Sequence, residues 1–170
     1  MRQNDLKMAP YGEANFSILR ANNLAYVDKT EFIAELESFA NRFPFIVRPR
    51  RFGKTLFTQT LQAYYDIAAA KDFERNFAGT YIGEHKTPLA NTFRVIHFDF
   101  SGISPQNFES DFADQVISGF FDFCLRYPFK NGESLLREKF DSAHRLLTAF
   151  LREYEATFRA VSYTHLRAHE

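Results

Sequence analysis

Apolar side chains recur at helical spacing in four stretches of the chain and form two short continuous runs between them. The runs are rich in β-branched and aromatic residues, which is typical of strands. In chain order the pattern predicts helix 29–39, strand 43–47, helix 54–70, strand 93–100, helix 104–128 and a helical stretch after 132. This order is typical of an α/β layer fold with a parallel sheet flanked by helices.

The turn between the first predicted strand and the second predicted helix carries the segment Arg48-Pro-Arg-Arg-Phe-Gly-Lys-Thr55. Its last three residues match the phosphate-binding pattern G-x-x-x-x-G-K-[ST], but Arg48 stands where that pattern begins with glycine. A helix N-terminus attracts anions because its amide groups lack partners and it carries about half a positive charge. The segment therefore predicts a phosphate site, and a solvated basic turn is the alternative.

Three residues of this segment have separate expected roles. Gly53 lets the backbone approach a ligand closely, Lys54 reaches the outer phosphates of a nucleotide, and the Thr55 hydroxyl binds Mg²⁺. In phosphoryl transfer Lys54 would also neutralise developing charge, so it is the predicted catalytic residue.

The composition limits the possible partners. A chain of 170 residues is long enough for one domain, and its 21 basic and 21 acidic residues give zero net charge, which argues against a large basic surface for nucleic acid or membrane. The 21 Phe and 8 Tyr, without Trp, predict a core of phenyl rings. Cys124 lies in an apolar helical pattern, where a core position is favoured over a catalytic thiol. Without a membrane span, a signal peptide or a possible internal disulfide, we expect a cytoplasmic protein.

Three stretches together resemble the bacterial AAA-ATPase-like family of P-loop proteins: Tyr26–Glu31, Arg48–Thr55 and Val95–Gly102. The similarity spans about residues 10 to 160, and the family's loop shares the arginine in place of the first glycine. The resemblance implies a partial P-loop domain over residues 1–160 that binds ATP with Mg²⁺. The implied nucleotide-binding residues are Arg48, Pro49, Arg50, Arg51, Phe52, Gly53, Lys54 and Thr55. The three arginines then become either further phosphate contacts or a solvated basic rim.

The resemblance also implies that part of the P-loop fold is missing. The acidic Walker B strand is expected just after the helix that ends near Ala160, and there residues 161–170 resemble the translation of a sequencing adapter. We therefore expect an incomplete α/β P-loop NTPase fold that stops before Walker B, although a polar frayed terminus is the alternative for the tail. Many family members carry a PD-(D/E)XK nuclease-like domain, so a nucleic acid partner would come through a missing C-terminal domain.

Two further groups of polar residues have alternative interpretations. Asp99 ends an apolar run and is a local candidate for the metal-organising acid, but a hydrogen-bonded pair with His97 that supports the fold is favoured. Residues 28–30 lie either near the adenine or at a helix N-terminus, and capping is favoured.

Three functions follow from these features. The first is ATP binding through a degenerate Walker A loop, with Mg²⁺-dependent hydrolysis in the intact protein. The second is a module that binds a nucleic acid backbone through Arg48, Arg50, Arg51 and Lys54 without nucleotide chemistry. The third is an incomplete domain whose open sheet edge leaves it poorly folded and inactive.

Overall fold

The computed structural model describes residues 7–39, 43–47, 49, 51–128 and 143–158. The α-helices in these residues are α1 (Phe16–Ala21), α2 (Glu31–Ser38), α3 (Lys54–Tyr65), α4 (Phe73–Phe77), α5 (Tyr81–Glu84), α6 (Phe108–Arg126) and α7 (Ala143–Phe158). Two 3₁₀ helices, Ile67–Asp72 and Pro105–Asn107, follow α3 and precede α6. The chain divides into two compact units, Met1–Val95 and Ile96–Glu170.

The parallel sheet predicted from the sequence is wrong, because the described part of the chain is helical and contains no strand. Neither predicted strand, 43–47 or 93–100, is a strand among the described residues. An isolated parallel bridge joins Asp66 and Phe93. The Phe93 amide donates to the Tyr65 carbonyl at 3.0 Å, and its carbonyl accepts from Ile67 at 2.8 Å. These backbone groups are therefore used by the end of α3, so they are not open to a neighbouring strand.

The helix predictions are confirmed with shifted ends. The predicted helix 54–70 is broken at Asp66, whose buried carboxylate accepts from the Ala68 amide at 2.7 Å and starts the first 3₁₀ helix. Ser104 caps the second 3₁₀ helix ahead of α6, as its Ser-Pro pair predicts. The final helix is described from Ala143, so the predicted cap at Asp141 or Ser142 and the tail 161–170 lie outside the described residues.

An aromatic cluster forms the core of the first unit, as the phenylalanine content predicts. The Phe77 ring lies 5.2 Å from that of Phe16 and 5.5 Å from that of Tyr64, and all three side chains are fully buried. Ile33 of α2 and Ile82 of α5 belong to the same cluster. This core therefore joins α3, whose first turn carries the candidate phosphate loop, to the helices on both sides of it in sequence.

The second unit is held by contacts between α6 and α7. The rings of Phe120 and Phe150 stack at 4.0 Å, and Phe123 meets Phe150 edge to face at 5.4 Å. Cys124 is buried in this cluster, which agrees with the core position predicted for it. Ile96 and Phe98, from the second predicted strand, pack against the same cluster, so this apolar run fills a helical core.

Candidate functional site

The first turn of α3 begins with an unusual backbone conformation. Gly53, the residue before the helix, has φ 75° and ψ 22°, which is the left-handed region. Its carbonyl accepts the first helical hydrogen bond from the Phe57 amide at 2.9 Å. A Cβ at Gly53 would meet no atom within 4 Å, so the space beside its backbone is open. Glycine is thus needed here for its conformation, and it leaves the helix N-terminus accessible to a ligand.

A second left-handed residue lies two positions earlier. Arg51 has φ 67°, a value that costs a side-chain-bearing residue about 1–2 kcal/mol. Two left-handed residues within three positions curl the chain tightly ahead of α3. Backbone strain of this kind is concentrated at functional sites, where the surrounding structure maintains it.

The charges of the loop run against the helix dipole. The first turn of α3 contains no acidic residue and no side-chain cap, and it begins with a cation, Lys54. Cations at the positive end of a helix are unfavourable by about 0.3–1 kcal/mol each. Arg51 adds a further positive charge beside it. An anion bound at this turn would accept hydrogen bonds from amide groups of the helix N-terminus and relieve the repulsion.

The structure brings together most of the residues predicted for the nucleotide site. Lys54 and Thr55 occupy the first two positions of α3 and are exposed. Pro49, Arg51, Phe52 and Gly53 are also exposed in the segment that leads into the helix. Arg48 and Arg50 lie outside the described residues. Whether they contact phosphate or form a solvated basic rim therefore stays a prediction.

A pocket of about 120 Å³ opens beside this loop. Its walls come from α2, from the extended segment 43–47 and from the start of α3. The lining residues are Lys29, Phe32, Glu35, Leu36, Phe39, Ile46, Phe52, Gly53, Lys54 and Phe57. The surface is therefore mainly apolar, with charged groups at Lys29, Glu35 and Lys54.

Sequence reasoning missed the contribution of α2 to this pocket. Phe32, Leu36 and Phe39 are spaced i, i+4 and i+7, so they lie on one face of the helix. That spacing was visible in the sequence, but it equally indicates a face buried in the core. Phe39 is instead 57% exposed, and Phe52 across the loop is 60% exposed, so these rings border an accessible pocket.

A hydrogen-bonded cluster fixes α2 against α3. Glu37 accepts from the Tyr65 hydroxyl at 3.0 Å and from the Thr87 hydroxyl at 2.9 Å through the same oxygen. Burial first, and then the Glu37 carboxylate, raise the pKa of Tyr65 well above its ordinary value. Since Tyr65 is the last residue of the helix that the loop precedes, this cluster ties α2 to the far end of that helix.

The raised pKa of Tyr65 predicts a loss of stability at alkaline pH. Its stabilising contribution is fully present below the ordinary tyrosine pKa of about 10 and is lost as pH rises through the folded-state pKa. We expect Tyr65→Phe to cost about 0.5–1.5 kcal/mol at pH 7 and to flatten the fall in stability above about pH 10. Burial also raises the pKa of Tyr26, so part of the fall in stability above about pH 10 should remain in Tyr65→Phe. Urea denaturation between pH 8 and 11 measures both effects. If stability fell equally steeply with pH in the unsubstituted protein and in Tyr65→Phe, the raised pKa of Tyr65 would be contradicted.

Asp28 and Thr30 serve the fold, but not as the predicted cap of α2, whose N-cap residue Thr30 makes no side-chain cap hydrogen bond. The Asp28 carboxylate accepts from the amides of Thr30 at 2.9 Å and Tyr81 at 2.7 Å. The buried Thr30 hydroxyl accepts from the Ile82 amide at 3.1 Å. These bonds attach the start of α2 to α5. Of residues 28–30, Lys29 is the one that lines the pocket.

Asp99 has a local backbone partner. Its carboxylate accepts from the Ser101 amide at 2.9 Å, and this bond lowers the pKa of Asp99, with a minor contribution from the charge of His97. The hydrogen-bonded pair of His97 and Asp99 predicted from the sequence is therefore replaced by a turn at Ser101. Within the described ranges, no three His, Cys, Asp or Glu side chains converge in a way that could hold a metal ion.

Comparison with known protein families identifies a match over most of the chain. A family model described as "AAA-ATPase_like: Predicted AAA-ATPase" matches residues 10–161. No curated protein and no solved structure matches the chain. In the part of the chain that the structure describes, none of the helices has both the length and the apolar character that crossing a membrane requires.

Proposed function

The chain belongs to the AAA-ATPase-like family, and from this premise we propose that its loop at residues 51–55 binds the phosphates of ATP. The observation that carries the proposal is the N-terminus of α3, where a left-handed glycine precedes a lysine and the first turn holds no acid. A helix that was only structural would gain stability from an acidic or capping residue at this position. The loop has the opposite charge pattern, which favours an anionic ligand.

Each residue of the loop has a defined part in the proposed site. The amides after Gly53 would donate to phosphate oxygens, and Lys54 would neutralise the outer phosphates. The strained Arg51 would place a second cation beside them. Mg²⁺ usually binds through one or two protein oxygens together with substrate phosphates, and the Thr55 hydroxyl could supply one such oxygen. When bound, the metal would add charge neutralisation at the phosphates.

Binding and hydrolysis require different sets of residues. Hydrolysis of ATP by attack of water also requires an acid that organises the metal and the water. The loop at residues 51–55 supports the binding step, so we propose nucleotide binding for this chain.

Substitution of Lys54 tests the phosphate site. We expect Lys54→Ala to weaken binding of a fluorescent ATP analogue by about 10-fold to 150-fold, because a charge-assisted hydrogen bond is lost. Lys71→Ala is the matched control, since Lys71 is an exposed lysine of the following 3₁₀ helix and does not line the pocket. Equilibrium titration with Mg²⁺ present measures both affinities.

The same titration separates the proposal from its rival. Equal affinities for the unsubstituted protein and Lys54→Ala would overturn the phosphate site. Binding of duplex DNA that weakens with salt and persists at saturating ATP would instead favour the nucleic acid module. Competition between ATP and DNA for one site would agree with a shared set of basic residues.

A further inference from the structure

We propose that a surface of the second unit binds an arginine-rich peptide segment of a partner protein. The surface is a row of four phenylalanine rings, which we call the phenyl row: Phe98, Phe100, Phe112 and Phe108. Successive ring centroids lie 6.0, 5.2 and 5.9 Å apart, and the planes of successive rings differ by 11°, 19° and 11°. These residues belong neither to the loop nor to the pocket, so the proposal does not depend on nucleotide binding.

The phenyl row is anchored in the core at one end and open at the other. Phe98 packs edge to face on the buried ring of Phe120 at 5.4 Å. Phe100 is 45% exposed, and Phe108, at the opposite end of the row, is 57% exposed. A partner that covered these two rings would remove apolar surface from water.

Two contacts hold the row in shape before any partner binds. A Cβ at Gly119 of α6 would lie 2.5 Å from a ring carbon of Phe98 and 2.9 Å from the carbonyl oxygen of His97, so glycine allows this segment to lie directly on the helix. The Asp111 carboxylate of α6 accepts from the Ser104 amide at 2.9 Å. The rings from the segment and from the helix are therefore preorganised, which lowers the entropy cost of binding.

The surroundings of the row are strongly acidic. Residues 98–125 contain no arginine or lysine and five acids: Asp99, Glu109, Asp111, Asp114 and Asp122. On α6, Glu109 comes three residues before Phe112 and Asp111 three residues after Phe108, so a carboxylate neighbours each ring on the helix surface. Because the whole chain has zero net charge, this is a local concentration of negative charge. It is complementary to a cationic partner and disfavours an anionic one.

Arginine is the cation that uses both the rings and the carboxylates. Its planar guanidinium stacks on aromatic faces and pairs with a carboxylate through two parallel hydrogen bonds, whereas the lysine ammonium is a strongly hydrated point charge. Acids in the first turn of a helix also stabilise its dipole, which accounts for Glu109 and Asp111. The dipole does not account for Asp99 beside Phe100 or for the exposure of the rings, and binding of arginine accounts for both.

Fluorescence anisotropy of a labelled hexa-arginine peptide, titrated with the full chain at low salt, tests the proposal. We expect the peptide to bind, and hexalysine to bind about threefold more weakly or worse. Phe108→Ala should weaken binding of hexa-arginine by about twofold to 30-fold, the range of one cation–π contact, because the acids remain and the exposed ring is lost.

Phe121→Ala is the matched control, because Phe121 is a 48% exposed phenylalanine of the same helix that lies outside the phenyl row. It should leave the affinity for hexa-arginine unchanged, and circular dichroism should show both variants folded.

Four results would overturn the proposal. The first is absence of peptide binding to the unsubstituted protein. Equal affinities of the unsubstituted protein and Phe108→Ala, or of hexa-arginine and hexalysine, would reduce the interaction to general attraction by the acids. Self-association of the chain that Phe108→Ala abolishes would assign the phenyl row to a contact between two copies.

Discussion

Replacing Gly83 with alanine should destabilise the first unit by about 3–4 kcal/mol. A Cβ at Gly83 would collide with the carbonyl oxygen of Phe77 and lie 2.9 Å from the carbonyl carbon. That carbonyl is held in place, because it accepts from the Thr80 amide at 3.1 Å and from the Thr80 hydroxyl at 2.8 Å. The backbone cannot move aside without breaking these bonds, so the cost of overpacking adds to the loss of about two hydrogen bonds.

Gly79 provides the comparison within the same turn. It has φ 66°, but a Cβ there would meet nothing within 4 Å, so Gly79→Ala should cost only the 1–2 kcal/mol or so of a left-handed residue. Urea denaturation followed by far-UV circular dichroism measures both variants. A Gly83→Ala protein as stable as Gly79→Ala would show that the close approach at Phe77 is not maintained in solution.

These two glycines show how far sequence reasoning reached in the fold. The sequence pattern does not distinguish a glycine needed for its φ from one needed for close packing. The helices α2, α3, α6 and α7 were predictable because their apolar faces repeat at 3.6 residues, whereas the shorter α1, α4 and α5 were not predicted. The strands were not, because a short apolar run has the same appearance whether it pairs in a sheet, as 93–100 was expected to, or fills a helical core as Ile96 and Phe98 do.

In the candidate site, too, one part was predictable from the sequence and another was not. Gly53, Lys54 and Thr55 were predictable since their positions relative to one another are local and the helix begins at Lys54 as expected. The pocket depends on α2 lying beside the loop, which is a long-range contact that no local pattern encodes. The apolar face of α2 suggested that it is buried in the core, and it is the exposure of Phe39 that indicates a ligand surface.

Truncating Tyr64 should have the largest effect of any substitution in the core of the first unit. Its ring is fully buried against Phe73 and Phe77, and its hydroxyl accepts from the Thr87 amide at 2.8 Å and pairs with the Thr87 hydroxyl at 2.9 Å. We expect Tyr64→Ala to cost about 3–5 kcal/mol through the cavity it leaves. Tyr64→Phe keeps the ring and should cost about 1–3 kcal/mol, because the partly buried amide of Thr87 loses its partner.

Tyr64 lies ten residues after Lys54 on the same helix, about 15 Å along its axis, so Tyr64→Phe should leave the affinity for ATP unchanged. ATP at 100 times its dissociation constant should then restore about 2.7 kcal/mol of stability to Tyr64→Phe, as mass action requires. The same ATP concentration should restore far less to Lys54→Ala, whose weaker binding leaves the site less occupied. Thermal or urea unfolding with and without ATP measures this difference. Equal stabilisation of the two variants would mean that ATP binds elsewhere, and no stabilisation of either would mean that α3 does not carry a nucleotide site.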